Sequence, residues 1–478
     1  MSIHFRTHPA TILVGLKRYV FILLFPVLQQ LLTLPFHPSS WSVLFWGEIG
    51  AAGAIVLLSA VRWLLLRCRL VDGVLTVSSG VLLQKRRAFP LSAVSSVNYE
   101  RPLWLAAMGG GRVRLDTAAG RDKEADLTLY VSRKRADWLV SQIKCDYSTG
   151  KTARGRAGLL PLMLMAASSS NAAAGLFFAV PLINHLGEIL GEEFSRRIYE
   201  TFNRATEILS QVIPPLTAGI AVILAAGWLI AFFRVLIRYM HLQVRRSGSV
   251  LTLTAGPFFQ RHTVLPIDHI NAVDIRQKLL MYPFGVRSIC LLCAGFGKEK
   301  GEREVLLPAM RPEPMEQAMK SLLPGFHIQP KNFVRPPKKA LRRYVFIPVL
   351  ILLLLIPAIL LLWAYRPSLR FLIPWLAIAL TLPAVWFLLL SLASYKEAGV
   401  DLNSDICILR CRKYFVLHWV AVPATRIRRI DLTQSIFQRM DGVCNLRVLI
   451  YGEKGTRYTI RELPLEEVLQ SVSEFDYS

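Results

Sequence analysis

The stretch Gly256-Pro-Phe-Phe-Gln-Arg-His-Thr-Val-Leu-Pro266 begins a spacing pattern that occurs three times along the chain. In each copy, a proline follows the starting position by ten residues, and two Ile or Val residues and a glycine follow at steps of four, three and twelve. The copies are Gly80, Pro90, Val94, Val97 and Gly109, then Gly256, Pro266, Ile270, Val273 and Gly285, then Lys413, Pro423, Ile427, Ile430 and Gly442. A match of this length indicates an internal repeat.

The residue types in this pattern indicate turns and core rather than chemistry. Glycine permits a tight turn with positive φ, and proline fits the edge or start of a strand, where its missing N–H is not needed. The two apolar residues would turn toward a core, and the last glycine would open the next hairpin. Specific binding is therefore expected at positions that differ between the copies.

The chain is too apolar for an ordinary soluble protein. Hydrophobic residues make up 53% of its 478 residues, and its mean hydropathy is +0.41. This composition predicts an integral membrane protein. The formal net charge of +25 suits either nucleic acid or an anionic membrane surface, and the apolar runs favour the membrane. Nucleic acid is not an expected partner.

Six apolar runs are each about as long as a membrane-spanning helix requires. They cover residues 19–36, 41–66, 159–186, 212–236, 344–365 and 371–392. The Lys and Arg residues that flank the first two runs predict, by the positive-inside rule, that both chain termini lie in the cytoplasm. Residues 187–211, between the third and fourth runs, predict an external amphipathic helix.

After each pair of runs, the pattern changes to short stretches in which apolar and polar residues alternate, followed by an amphipathic helix. These stretches predict module 1 (residues 67–150), module 2 (239–328) and module 3 (394–478). The remaining segments are the tail and first pair (1–66), the second pair with its external segment (151–238), and a basic linker with the third pair (329–393). The predicted fold class is an α + β membrane protein with six transmembrane helices in three pairs, each followed by a small cytoplasmic antiparallel β-domain with a C-terminal helix.

No pattern predicts catalysis, a metal or a cofactor. Cys290-Leu-Leu-Cys293 lies in a strand-like run, where residues three apart point to opposite faces and cannot share one metal without a bend. His241, His262, His269 and His418 are scattered, with no carboxylate or nucleophile at a catalytic spacing. We therefore expect a non-enzymatic protein. The seven cysteines are expected to be reduced, because they lie in or beside predicted cytoplasmic stretches.

Basic residues occupy the strand before the proline in two copies. They follow the glycine by five to seven residues in the first copy and by five and six in the second. Such side chains could meet lipid phosphates, although a solvated strand edge or ordinary positive-inside charge also explains them. The candidate lipid- or partner-contacting residues are Lys85, Arg86, Arg87, Arg261, His262 and Lys413.

The balance of charge distinguishes module 3 from the others. Residues 394–478 hold 12 Lys and Arg against 11 Asp and Glu. A nearly neutral module is the least suited of the three to an anionic surface. We therefore expect module 3 to be the one that contacts protein.

The spacing G-x9-P-x3-[IV]-x2-[IV]-x11-G, after a membrane span and before a strand-strand-helix finish, resembles the bacterial pleckstrin-homology-like (PH-like) domain of membrane proteins. Three such modules, each after paired spans, resemble the YdbT-like arrangement. The second copy matches best, through Leu265-Pro-Ile-Asp-His-Ile-Asn-Ala-Val-Asp-Ile. This resemblance implies a bent antiparallel sheet of seven strands with a C-terminal helix in each module, and a location in the bacterial cell membrane.

These expectations combine into a non-enzymatic scaffold whose modules bind one another, a protein partner, a second copy or anionic phospholipid at the inner membrane face. The resemblance adds envelope stress or antimicrobial-peptide resistance as a role. The alternative is a transport or lipid-translocating protein that the modules regulate, because prolines at 357, 374 and 383 could kink the last two spans. The scarcity of ionisable residues within the runs argues against ion-coupled transport.

Overall fold

The computed structural model describes residues 3–17, 41–80, 84–117, 127–143, 153–156, 158–169, 192–210, 215–256, 260–293, 305–326, 329–330, 332–365, 373–402, 405–451 and 456–473. The first predicted span, at residues 19–36, lies outside these ranges, and so does most of the third, at 159–186. Helices alternate with groups of strands along the described chain.

The helices fall into long apolar segments and shorter helices that belong to the modules. They are α1 (Ala10–Lys17), α2 (Trp41–Leu65), α3 (Leu103–Ala107), α4 (Arg133–Ile143), α5 (Leu159–Ser169), α6 (Glu192–Ser210), α7 (Pro215–Tyr239), α8 (Pro312–Leu322), α9 (Leu341–Tyr365), α10 (Ile373–Glu397), α11 (Ile436–Met440) and α12 (Leu465–Ser473). Modules 1, 2 and 3 end in α4, α8 and α12, respectively.

Three helices in the described ranges are long and apolar enough to cross a membrane. The qualifying segments are Ala221–Tyr239, Lys338–Tyr365 and Ile373–Glu397, whereas Gly53–Leu65 and Leu159–Ser168 are shorter apolar segments. In α9, apolar residues surround the helix, which suits a hydrocarbon environment. The described residues thus include three membrane-capable helices, and the remaining three of the six predicted spans stay predictions.

The helix predicted in residues 187–211 is present as α6. Arg196 pairs with Glu200 and Arg197 pairs with Glu193, each at 3.0 Å and one helical turn apart. Such exposed pairs add a few tenths of a kcal/mol to a helix. Its position outside the membrane stays a prediction.

The strands are all paired in antiparallel fashion. They are β1 (Ile3–Arg6), β2 (Arg67–Val71), β3 (Val74–Ser79), β4 (Lys85–Pro90), β5 (Val94–Arg101), β6 (Gly110–Thr117), β7 (Leu127–Ser132), β8 (Ala153–Arg156), β9 (Gln243–Ser247), β10 (Val250–Ala255), β11 (Gln260–Pro266), β12 (Ile270–Lys278), β13 (Arg287–Cys293), β14 (Val305–Met310), β15 (Gly399–Asp401), β16 (Ile406–Lys413), β17 (Val416–Pro423), β18 (Ile427–Thr433), β19 (Val443–Ile450) and β20 (Thr456–Pro464).

The described strands of each module are divided between two antiparallel sheets, where the resemblance implied one bent sheet of seven strands. The strand orders are β1-β2-β3-β4, β7-β6-β5-β11-β10-β9-β8, β14-β13-β12-β17-β16-β15 and β18-β19-β20. The repeated proline explains the division, because it ends one strand and is followed in every copy by a three-residue 3-10 turn. The turn directs the next strand into a different sheet.

Neighbouring modules are joined edge to edge. Strand β5 of module 1 pairs with β11 of module 2, and β12 of module 2 pairs with β17 of module 3. We call these strand pairs the first and second junctions. Each junction satisfies the backbone groups of strand edges that would otherwise be open to other chains.

The segments before the helix pairs also join the sheets. Strand β1 pairs with β2, and β8 pairs with β9. In the third copy, a single bridge connects Val334 with Val400. The two ends of each predicted pair of spans therefore lie side by side, although the strands are too short for their periodicity to reveal them in the sequence.

The hydrophobic core continues across the junctions. One cluster combines Leu251 and Ile289 of module 2 with Trp419 of module 3 and Leu390 of α10. A second cluster includes Val264 of module 2 among the core residues of module 1. The modules are therefore packed together as well as hydrogen-bonded.

The repeated positions lie at turns and in the core. Val94, Val97, Ile270, Val273 and Ile427 are buried, and Ile430 is partly buried. The last glycine of each copy has a positive φ, of 74°, 63° and 65° in chain order, a conformation that glycine adopts without steric cost. In the third copy, which begins at Lys413 instead of glycine, the adjacent Tyr414 takes a positive φ of 56°.

Candidate functional site

The six predicted contact residues lie in three different places. Lys85, Arg86 and Arg87 are exposed on β4. Arg261 and His262 lie on β11, against module 1. Lys413 ends β16 and lines a pocket beside α9 and α10.

Arg261 is engaged in the first junction. Its Nε atom lies 3.4 Å from Oε1 of Glu100, and its side chain is 22% exposed. Arg112 and Arg114 contact the same carboxylate, and His262 stacks on Tyr99 with ring centroids 6.2 Å apart. The guanidinium therefore already has a protein anion, and lipid contact by Arg261 stays a prediction.

The electrostatics of Glu100 follow from this cluster. Burial alone raises the pKa of Glu100, but the charges of Arg114, Arg112 and Arg261 more than offset that effect, so the pKa is lowered. When folding lowers the pKa of a carboxylate, the carboxylate stabilises the folded protein at pH values above the pKa that it has in the unfolded chain. This contribution is lost as the pH falls through the pKa of the folded state.

We expect acid to weaken the first junction through Glu100. The loss should begin as the pH falls toward the ordinary value of 4.5 and continue below it. The Glu100→Gln variant should melt at a lower temperature than wild type at pH 7, but the difference should shrink at pH 3.5. Thermal unfolding of the full chain at both pH values measures this. A difference that stays constant with pH would contradict the assignment.

The second junction contains a buried carboxylate. Asp274 of β12 is completely buried and accepts hydrogen bonds from Arg276 Nε at 2.8 Å and from Tyr458 Oη at 3.0 Å. Its other oxygen lies 2.8 Å from Nδ1 of His418, a residue 144 positions away. The sequence spacing around His418 indicated no such carboxylate, because Asp274 belongs to a different module.

A pocket of about 550 Å³ lies where module 3 meets α9 and α10. Ile347 and Pro348 of α9 and Phe387 of α10 form its apolar side. Residues of β16 and β20 complete the lining. The pocket thus combines helix surface that suits lipid with the edge of a folded domain.

Most charged groups in this pocket are cationic. Among the described residues that line it, the cations are Arg343, Arg412, Lys413, Arg457 and Arg461, and the one acid is Glu462. Arg457 and Arg461 share a face of β20, because side chains two and four residues apart along a strand point the same way. Glu462 is engaged by Nη1 of Arg343 at 3.0 Å. Positive charge therefore exceeds negative charge in the pocket.

Arg412 is held in place from two sides. Its Nη1 atom donates to Oγ of Ser391 at 2.7 Å, and its guanidinium carbon lies 5.1 Å from the ring centroid of Phe387. Burial, and then the charge of Arg461, lower the pKa of Arg412. A guanidinium that is partly desolvated and close to another cation favours binding of an anion.

Exposed apolar residues recur in one loop of each module, the connection between β5 and β6, between β12 and β13 or between β18 and β19, which includes the short helices α3 and α11 in modules 1 and 3. Trp104, Leu280 and Phe437, which each follow the second Ile or Val of the pattern by seven residues, are all exposed. Leu280 lines a pocket with Leu382 of α10. Such residues suit the interfacial region of a bilayer.

The third of these loops is tied to the helix end that carries the pocket. Nη2 of Arg343 donates to the carbonyl oxygen of Phe437 and to the carboxylate of Asp441. Because Arg343 lies in the first turn of α9, the exposed side chains of Ile436 and Met440 lie close to that end of the helix. Pocket and apolar loop therefore belong to the same side of module 3.

Of the cations that line this pocket, the sequence-based prediction named Lys413 but not Arg412, Arg457 or Arg461. It relied on the total charge of module 3, whereas the structure gathers cations at one pocket and places Glu466 and Glu467 in the first turn of α12. The alternation Arg457-Tyr-Thr-Ile-Arg461 could have indicated two cations on one strand face. What it could not indicate is that α9 and α10 complete the pocket.

Six of the seven cysteines lie in the described ranges, and all six are buried with free thiols. Cys290 and Cys293 are both buried on β13, and burial raises the pKa of Cys293 to about 12. Such a thiol stays protonated at neutral pH. The described ranges contain no group of three or more His, Cys, Asp or Glu residues that could hold a metal ion.

Comparison with known proteins gives two matches. The family described as "Bacterial PH domain" matches residues 15–145, 200–324 and 343–474, more than half of the chain. The UPF0699 transmembrane protein YdbT of Bacillus subtilis (strain 168) is 23% identical over 464 residues, which cover 91% of this chain and 90% of that protein. No solved structure gives a significant match. The predicted threefold repeat is confirmed by the three family matches.

Proposed function

This chain belongs to the bacterial PH domain family, and from that premise we propose that it is a non-enzymatic membrane scaffold that binds anionic phospholipid through module 3. The observation that carries the proposal is the cationic pocket between the module and α9 and α10. A lipid phosphate is the anion best matched to a pocket with one apolar side, because its acyl chains need an apolar surface next to the charge.

The pocket offers the contacts that a lipid phosphate requires. Guanidinium groups donate paired hydrogen bonds to phosphate oxygens, and Arg412, Arg457 and Arg461 provide three such groups in the lining of the pocket. Ile347 and Phe387 line the same pocket, and acyl chains would continue from it along the helices. Lys413 adds a further positive charge to the lining.

The six-span arrangement is part of this proposal. The strands that flank each of the first two predicted pairs of spans are hydrogen-bonded neighbours. The Val334–Val400 bridge joins the segments that flank the third predicted pair in the same way. A helix pair that leaves a domain and returns to it places both its ends on one membrane face. This geometry supports three hairpins of spans with all three modules on the inner face of the cell membrane.

The scaffold part of the proposal comes from the junctions. Shared sheets and shared cores hold the described parts of the modules in fixed relative positions. A role in envelope stress or antimicrobial-peptide resistance is a hypothesis that such a membrane platform would serve.

We expect replacement of Arg457 and Arg461 by glutamine to weaken binding of phosphatidylglycerol at least about tenfold. One lost hydrogen bond to a charged group costs about 1.5 kcal/mol, which corresponds to that factor. Both side chains are exposed, so the variant should fold. Titration of purified full-length protein in detergent with short-chain phosphatidylglycerol, followed by native mass spectrometry, measures the affinity.

The matched control replaces Lys134 and Lys320, exposed cations on α4 and α8, by glutamine. It removes the same amount of positive charge. The affinity for phosphatidylglycerol should stay within about twofold of the wild-type value, because distant exposed charges are screened. Phosphatidylcholine should bind the wild type more weakly than phosphatidylglycerol. Equal losses in the pocket and control variants would overturn the proposal.

A further inference from the structure

The two junctions within the chain have the same register. Val97 pairs with Val264 in the first, and Val273 pairs with Ala421 in the second. In both cases the second Ile or Val of the repeat faces the residue two positions before the proline of the next copy. One pairing rule therefore connects module 1 to module 2 and module 2 to module 3.

The same polar position is used in both junctions. Asn98 and Asp274 each follow the second Val of their copy and are buried. Oγ1 of Thr263 donates to Oδ1 of Asn98 at 2.6 Å, and Nδ1 of His418 lies 2.8 Å from Oδ1 of Asp274. Each junction thus contains a specific polar contact next to the paired Val.

The three modules form a row, and applying the same pairing rule beyond its two ends would use one strand of module 1 and one strand of module 3. Strand β4 of module 1 corresponds to β11 and β17, and β18 of module 3 corresponds to β5 and β12. Within the described residues, both β4 and β18 end their sheets. Lys85, Arg86, Arg87 and Ala88 are exposed on β4.

We propose that β4 of one copy pairs with β18 of a second copy in the register of the two internal junctions, so that chains assemble head to tail. The rule places Ala88 opposite Ile430, Arg87 opposite Asp431, and Lys85 opposite Thr433. Such an interface uses two different surfaces, and it produces a ring if the rotation closes and an open array if it does not. This assembly does not depend on lipid binding by the pocket.

The charges on the two edges fit this pairing. Asp431 occupies the position of Asn98 and Asp274, and its side chain is 25% exposed. Arg87 would lie directly across from it, and Lys85 would take the place that Arg261 and His418 take in the internal junctions. Cations on a strand edge usually prevent pairing with another strand. The cations of β4 would therefore exclude strands that have no acidic residue at the position opposite Arg87.

Cysteine cross-linking in the membrane tests the register. Full-length Ala88→Cys carrying one tag is co-expressed with full-length Ile430→Cys carrying another, because directly paired residues lie within disulfide distance. We expect a disulfide-linked mixed dimer that neither variant forms alone. The control pair, Ala88→Cys with Leu432→Cys, is shifted by two residues from the proposed register. It should give at least about tenfold less of the disulfide-linked mixed dimer.

A charge exchange tests the interface without a cross-link. Arg87→Asp should reduce the oligomer fraction at least about fivefold in native mass spectrometry, as should Asp431→Arg. Mixing the two variants should restore oligomers that contain both chains. Overturning results are equal yields in the two cysteine pairs, no mixed dimer at all, or cross-linking of Ala88→Cys to a different protein.

Discussion

Replacing Asp274 by leucine should lower the free energy of unfolding by about 3–5 kcal/mol, the usual cost of removing one partner of a buried ion pair. The carboxylate is completely buried and receives hydrogen bonds from Arg276 and Tyr458. Leucine would leave the guanidinium of Arg276, whose side chain is only 22% exposed, without this counter-charge. The loss should concentrate at the second junction, because His418 and Tyr458 belong to module 3.

Denaturant unfolding of the full chain in detergent measures this loss, and limited proteolysis shows whether modules 2 and 3 separate. The control is Asp137→Leu, an exposed carboxylate on α4. Its partner Arg133 is 69% exposed, so the control should cost less than about 1 kcal/mol. Similar losses in both variants would show that the second junction does not depend on its buried carboxylate.

The second large effect is expected at Gly399. A Cβ atom there would lie 2.4 Å from Cε1 of Phe333 and 2.7 Å from the backbone oxygen of Val334. The backbone oxygen cannot move freely, because Val334 and Val400 exchange hydrogen bonds of 2.9 and 3.0 Å. Gly399→Ala should therefore cost about 1–3 kcal/mol and release the segment that precedes α9 from module 3.

Hydrogen exchange at the amides of Val334 and Val400 reads out this release directly. Both amides should exchange at least about fivefold faster in Gly399→Ala. Gly325→Ala is the control, since no atom lies within 4 Å of its added Cβ. Unchanged protection at Val334 in Gly399→Ala would mean that the bridge does not hold the segment.

The parts of the fold that were predictable rest on short-range patterns. Proline ends a strand, a glycine with positive φ opens a hairpin, and alternation of apolar residues identifies a strand half buried in a sheet. These signals are encoded within about 30 residues of each other in every copy. They therefore indicated three modules, and the Ile and Val positions are largely buried.

The junctions could not be predicted, because they depend on contacts between residues far apart in the sequence. Thr263 and Asn98 are separated by 165 positions, and His418 and Asp274 by 144. A basic residue on a strand has the same sequence signature whether it faces lipid, solvent or a neighbouring module. Arg261 was accordingly grouped with Lys85, although the structure places Arg261 at Glu100 and Lys85 on the strand that ends its sheet within the described residues.

The pocket was hidden for a related reason. Four of its five cations come from β16 and β20 and the fifth, Arg343, comes from α9, while α9 and α10 also supply its apolar side. The charge total of a module contains no information about how those elements meet. Local alternation identifies the face of a strand, whereas the position of that face relative to a membrane helix is a property of the whole fold.

The most direct test of lipid binding by module 3 is the structure of the full-length protein in nanodiscs that contain phosphatidylglycerol, determined by electron cryomicroscopy. We predict density for a headgroup phosphate within hydrogen-bond distance of Arg412 or Arg461, with acyl-chain density along Ile347 and Phe387. A pocket that is filled by protein side chains, or that shows no headgroup density while other lipids around α9 and α10 are resolved, would contradict the proposal.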